Sequence, residues 1–305
     1  MYNLYRLLFI GYCLSVIGCS GPTRQFETEV LLPFTPVKNQ GGSQLCWAYA
    51  MLSAIETEHI VRGDSVHLSV AYLERMMEQE ADAPSSKRGM GITAVHLMEK
   101  YGMVPYDAMP SNNLRSPSSS STQGAQTSSL VPIPKKAFME GMEYTPQEFA
   151  RSVCAPGEYI GLGTDDSQPY YEEYEPALPD NWEHNRLMNL PSDSLLALTV
   201  RAIEGGRGVC WEGDISERGF DREKCVADIG PDYSLFNVHN SIYSGSTTDD
   251  HCMAIVGIAH DEDGNRYFIM KNSWGRYGPY AGMVYLSFNY FREKTIAVFM
   301  PHNIP

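Results

Sequence analysis

Apolar positions recur at helical spacing through the first two thirds of the chain. Trp47, Met51, Ala54 and Ile55 fall at i, i+4, i+7 and i+8 and predict a helix that starts at Cys46, with Gly41-Gly42-Ser43 supplying the turn and an N-cap before it. Ser69 to Glu80 and Ile92 to Tyr101 predict two further amphipathic helices, the second closed by Gly102. Thr145-Pro146-Gln147-Glu148 opens another with a cap, a first-turn proline and a capping-box glutamate. Ser192 to Glu204 puts Leu195, Leu198, Ala202 and Ile203 on one face and stops at Gly205-Gly206. Beyond Gly208 the pattern changes to short apolar runs. Val209 to Trp211, Cys252 to Ala259, Tyr267 to Met270, Met283 to Ser287 and Thr295 to Met300 read as strands, with Asp261 to Asn265 as a hairpin loop. Helices followed by strands predict an α+β protein.

The ends and the polar tracts divide the chain further. Residues 1–18, with Arg6 ahead of the apolar run Leu7 to Ile17, read as an export signal too short for a stable membrane span. Val16-Ile17-Gly18-Cys19 resembles a bacterial lipobox, which makes Cys19 the lipid acceptor; ordinary cleavage nearby is the other reading. Residues 19–30 are then a tether, 31–155 a helical domain and 156–305 a β-rich domain. Ser111 to Ser129 is a Ser/Thr/Asn/Gln tract read as a mobile surface loop. Pro156 to Asn189, rich in Tyr, Pro, Asp and Glu, reads either as a packed connector or as an acidic rim favouring basic substrates.

Composition narrows the function classes. The 305 residues can bury one large core or two moderate ones. A formal charge of −14 without evident Lys/Arg clusters argues against nucleic acid as partner. With Cys13 in the signal, Cys19 as lipid acceptor and Cys46 set aside, Cys154, Cys210, Cys225 and Cys252 remain, free to pair in an oxidising compartment but not connectable from spacing. A zinc site from Cys210, Cys225, Cys252 and a histidine lacks any Cys-x-x-Cys support.

Cys46 on the first turn of its helix meets the partial positive charge of unpaired N–H groups, which favours a thiolate. Alone it reads more readily as a buried structural cysteine beginning a core helix. Two later stretches turn the reading: His251 opens an apolar strand, and Asn272 stands in Lys271-Asn272-Ser273-Trp274-Gly275 after the next. A thiol, an imidazole to take its proton and an amide to orient the imidazole are what cysteine acyl transfer requires. Adjacent residues on a strand face opposite sides, so Cys252 is expected to point away from the cleft.

These motifs, with Gln40 six positions before Cys46, resemble the papain superfamily of cysteine peptidases. Leu68 to Leu73, Glu99 to Pro105, Asp180-Asn181-Trp182 and residues 190–215 resemble its bleomycin-hydrolase branch. The resemblance implies a papain-like two-domain fold, a helical domain and an antiparallel β-barrel-like domain with the cleft between them. It implies Cys46 as nucleophile, His251 as general base and acid, Asn272 as its orienting amide, Gln40 as oxyanion donor and Trp274 as a shield for the His251–Asn272 bond. Gly89 aligns with the glycine whose backbone binds substrate; a loop glycine needing positive φ is its other reading. Ser43 and Ser86 stand where many relatives have a disulfide, so that staple is expected to be missing. No inhibitory pro-domain is expected in the short lead-in, and the C-terminal arm that makes bleomycin-hydrolase relatives aminopeptidases is expected to be missing or much shortened, which weakens the aminopeptidase reading.

The expected protein is a cysteine peptidase acting through a thioester on a peptide or protein substrate, with no metal or organic cofactor. Endo- and aminopeptidase action stay open, as do a silent lipid-anchored peptide-binding protein and acyl transfer to amines. The N-terminal lipid implies an exported, membrane-anchored lipoprotein, periplasmic or at the cell surface. Oligomeric state is not legible.

Overall fold

The computed structural model describes residues 23–111, 132–230 and 248–304. The export signal, Cys19 and the Ser/Thr-rich tract from residue 112 onward lie outside the described residues.

Six α-helices are described: α1 (Cys46–Val61), α2 (Val70–Met77), α3 (Gly91–Tyr101), α4 (Pro146–Val153), α5 (Ser192–Glu204) and α6 (Phe288–Lys294). The local signals behave as their chemistry requires. The Ser69 hydroxyl accepts the Tyr72 N–H at 3.1 Å to cap α2, Gly102 ends α3 at φ 87°, and Thr145 and Glu148 form the reciprocal capping box of α4. At α1 the expected cap is absent. Leu45 precedes the helix without a side-chain cap, and the Ser43 hydroxyl instead donates to the Gln40 carbonyl at 2.9 Å. The single apolar stripe read for α1 is also too narrow, because the helix is buried on every side from Trp47 to His59.

The strands are β1 (Phe26–Leu31), β2 (Ala137–Met139), β3 (Met142–Tyr144), β4 (Tyr159–Gly163), β5 (Glu173–Tyr174), β6 (Leu187–Asn189), β7 (Val209–Gly213), β8 (Phe220–Asp221), β9 (Val226–Ala227), β10 (His251–Asp261), β11 (Arg266–Lys271), β12 (Met283–Ser287) and β13 (Thr295–Pro301). β2 and β3 pair as a separate hairpin, and the others form one 11-stranded sheet in the order β5-β6-β4-β13-β7-β10-β11-β12-β9-β8. Pairing is antiparallel except at β4–β6 and β9–β12. The long β10 takes β7 along its first half and β1 along its second, so the polar lead-in read as a tether contains a sheet strand from Phe26 onward.

Alternation along the central strands divides the core in two. Cys210, Cys252, Ala297 and Phe299 face α1 and α3, whereas Trp211, Met253, Val298 and Met300 face α5 and α6. The sheet is therefore covered on both faces. Gly91, opening α3, has its Cα so close to the sheet that a Cβ would stand 2.5 Å from the Phe299 ring and 2.8 Å from the Cys210 sulfur. No described helix is long and apolar enough to cross a membrane.

Candidate active site

Two loops meet at the N-terminal end of α1. The Gln40 N–H donates to the Ser273 carbonyl at 2.7 Å, the Gly275 N–H donates to the Lys38 carbonyl at 3.0 Å, and Asn39 bridges Trp274. This ladder fixes the turn before Cys46 against the turn after β11. The Gln40 amide is held from both ends, its Nε2 donating to the Ser43 carbonyl at 2.8 Å and its Oε1 accepting the Ser273 hydroxyl.

His251, the first residue of β10, is buried and shares a 2.8 Å hydrogen bond between Nε2 and Asn272 Oδ1. Asn272 Oδ1 accepts the Ser273 N–H as well, at 2.7 Å, so it acts as acceptor and Nε2 carries the hydrogen. Nδ1 is thereby left for the Cys46 thiol, with which His251 is hydrogen-bonded. The Trp274 ring stacks on the imidazole with centroids 5.0 Å apart, and Arg222 lies over the other ring system at 5.5 Å from the Trp274 centroid. Cys46, His251, Asn272 and Trp274 are thus one cluster, with Gln40 tied to Ser273 beside it.

Cys252 departs from expectation. It does point away from His251, but α1 covers that face of the sheet, and its thiol therefore donates to the Cys46 sulfur instead of leaving the site. Hydrogen bonds from Cys252 and then His251 pull the Cys46 thiol well below its ordinary range, against the effect of burial. The other described cysteines move the opposite way: burial pushes Cys154 up to about 12 and raises Cys210, Cys225 and Cys252. All five described cysteines are free thiols, and no described group of His, Cys, Asp and Glu is arranged to hold a metal.

Behind the cluster lies a buried ionic network that the sequence reading missed. Glu56, ten residues along α1 and fully buried, accepts from Lys38 Nζ at 2.8 Å, the Leu68 N–H at 2.7 Å and the Thr35 hydroxyl. Lys271, next to Asn272, donates to the hydroxyls of Thr35 and Ser53 at 2.8 Å each. Burial would raise the Glu56 carboxyl, yet Lys38 and Lys271 hold it below its usual value; burial drives the Lys271 ammonium down to about 8. An acidic residue in the middle of a core helix, with a lysine in the loop before Cys46 and another just before Asn272, was the available signal.

Gly89 is not in the positive-φ region, so of its two readings the strained loop fails. A Cβ there would approach the Trp47 ring at 3.3 Å, and the chain before it is pinned by two indoles, Trp47 Nε1 to the Lys87 carbonyl at 3.0 Å and Trp182 Nε1 to the Arg88 carbonyl at 3.1 Å. The two bonds fix the chain immediately before Gly89.

Comparison with known proteins gives a consistent set of relatives. The model of the Peptidase C1-like family matches residues 134–304. Aminopeptidase E of Lactobacillus helveticus is 22% identical, over 90% of this chain and 82% of the relative. Aminopeptidase W of Lactobacillus delbrueckii subsp. lactis is 26% identical over 50% of this chain and 38% of its own length. Among solved structures, PepW from Lactobacillus rhamnosis superposes with a TM-score of 0.63 at 18% identity, covering 90% of this chain and 82% of that one.

Proposed function

The chain belongs to the Peptidase C1-like family, and on that premise we propose that it hydrolyses peptide bonds through a thioester formed at Cys46. The observation that carries this reading is the imidazole held between two groups, Asn272 on Nε2 and the Cys46 thiol on the other side. His251 takes the thiol proton as the sulfur attacks the scissile carbonyl, then returns it to the leaving amine. The oxyanion is met by the Cys46 N–H and the Gln40 amide, donors worth on the order of 3 kcal/mol each in such sites. Asn272 fixes the ring, and Trp274 covers the His251–Asn272 bond from water. Water then cleaves the acyl-enzyme. Gly89 offers backbone to the peptide along the cleft wall.

The name of Aminopeptidase E, similar over most of this chain, favours cleavage beside a free N-terminus over cleavage within a chain. The lipobox-like Cys19 favours display at a membrane surface on an N-terminal lipid. Digestion of a peptide library by wild type and by Cys46→Ala tests the reading. Cleavage by the first and none by the second is expected, with product termini reporting exo- or endo-action. Equal cleavage by both, or labelling by a thiol-directed active-site probe that spares Cys46, would overturn it. Products carrying an added amine in place of water would mark acyl transfer.

A further inference from the structure

Among the described cysteines, two free thiols meet across the contact between α1 and β10. Cys46 opens the helix, Cys252 is the second residue of the strand, and their sulfurs are hydrogen-bonded with Cys252 as donor. Cys252 lines the same small cavity as Tyr49, Ala50 and Ser53, the residues one and two turns behind Cys46, so its side chain lies under the helix. On the sheet its neighbour in register is the buried Glu212 of β7, whose Oε2 accepts the Gly91 N–H at 3.2 Å. The two thiols differ in access: Cys46 is partly exposed, whereas Cys252 is only 3% exposed. No step of the reaction proposed above uses Cys252 as a reactant.

The pair is also divided in reactivity. Oxidation by a hydroperoxide requires a thiolate that the oxidant can reach. Cys46 meets both conditions, since hydrogen bonds pull its thiol down and its exposure admits a small oxidant. Cys252 meets neither, because burial first and the hydrogen bond to Cys46 second hold its proton in place. An oxidant entering from the surface therefore modifies Cys46 and spares Cys252. The spared thiol is already in contact with the oxidised sulfur, which is the arrangement of a sensing and a resolving cysteine.

We propose that Cys46 and Cys252 form a peroxide-responsive pair, in which Cys46 is oxidised first and Cys252 closes it into a disulfide that a dithiol reopens. In the first step the Cys46 thiolate attacks one oxygen of hydrogen peroxide, the O–O bond breaks, and the other oxygen leaves as water with a proton from His251. In the second the Cys252 sulfur attacks the sulfenic sulfur of Cys46, the S–O bond breaks, and the hydroxyl leaves as water with the Cys252 proton. Two thiols and one peroxide thus give one disulfide and two waters. The disulfide withdraws Cys46 from further oxidation to sulfinic acid, which thiols do not reverse. The proposal needs Cys46 to be a reactive thiol and does not need it to cleave peptides.

The test treats the folded full chain with excess hydrogen peroxide, alkylates it with iodoacetamide in denaturant and maps peptide masses without reductant. In wild type a peptide pair joined through Cys46 and Cys252 is expected, and dithiothreitol added before alkylation restores labelling of Cys46 nearly in full. In Cys252→Ala the same treatment carries Cys46 to sulfinic acid, and dithiothreitol no longer restores its labelling. Cys252→Ser, which keeps a hydrogen-bond donor in place, gives the same loss of recovery and serves if the alanine variant does not fold. Sulfinic Cys46 beside an alkylated Cys252 in wild type, Cys46 joined to a different cysteine, or full recovery in a folded Cys252 variant would each overturn the proposal. These readouts need no turnover. Absence of peptide hydrolysis with the disulfide still formed sinks the peptidase reading alone, and hydrolysis without the disulfide sinks the pair alone.

Discussion

A thiolate is stabilised by whatever donates a hydrogen bond to it, and at Cys46 the largest single lowering effect is the hydrogen bond with Cys252, with His251 adding a hydrogen bond and its charge. Cys252→Ala removes that donor, so the Cys46 thiol rises and the acid limb of the pH profile of kcat/KM moves to higher pH; alkylation by iodoacetamide as a function of pH follows the same shift. On the proposed mechanism Gln40→Ala deletes one oxyanion donor and is expected to lower kcat about 10²-fold with KM little changed. Glu212 supplies a stability signature. Burial holds its proton up to about 8 in the fold, whereas the ordinary value is 4.5. Between those values the native state binds the extra proton, so stability falls as pH rises. Glu212→Gln keeps the shape and flattens this fall, by about 1.4 kcal/mol per pH unit at most, in urea unfolding across that range.

Elements whose signals are local were legible before any coordinates. α5 runs from Ser192 to Glu204 as read, although Pro191 precedes it without the side-chain cap expected there, and Thr145 and Glu148 cap α4 as read, because these helix ends are written in adjacent residues. β4, β5, β6, β8 and β9 were not: β4 takes its place from a partner far along the chain, Gly161 against Phe299 on β13, and β5, β6, β8 and β9 are only two or three residues long, too short for a periodic signal. α6 was hidden between two strands. Gly102 shows how firmly an element end is held. With φ at 87°, an added Cβ would stand 2.4 Å from the Pro146 backbone, so Gly102→Ala is expected to cost about 3 kcal/mol in chemical unfolding, strain and overlap together. Thr145→Ala, which removes only a cap, is expected to cost about 1 kcal/mol.

Across the whole molecule, the site is carried jointly by the first helix and the sheet. The cluster of Cys46, His251 and Asn272 could be anticipated from sequence because the proposed acyl transfer calls for a thiol, an imidazole and an amide. Their surroundings could not: Cys252, Glu212 and the Glu56 network take their meaning from which face α1 covers, and that depends on packing. Glu56 joins the loop before Cys46 to the strand before Asn272 through Lys38, Thr35 and Lys271. Glu56→Ala leaves two lysines without their counter-charge and is expected to cost about 3–5 kcal/mol, read as a lowered midpoint of urea unfolding.

The pairing of β1 with the far half of β10 has a bearing on orientation. Phe26 is registered with Asp261, ten positions along β10 from His251. At roughly 3.4 Å per residue, that sets the departure point of the upstream chain on the order of 30 Å from the imidazole. Were Cys19 acylated, the lipid would pull from the opposite pole, and the mouth that admits peptides would look outward from the bilayer toward passing solutes.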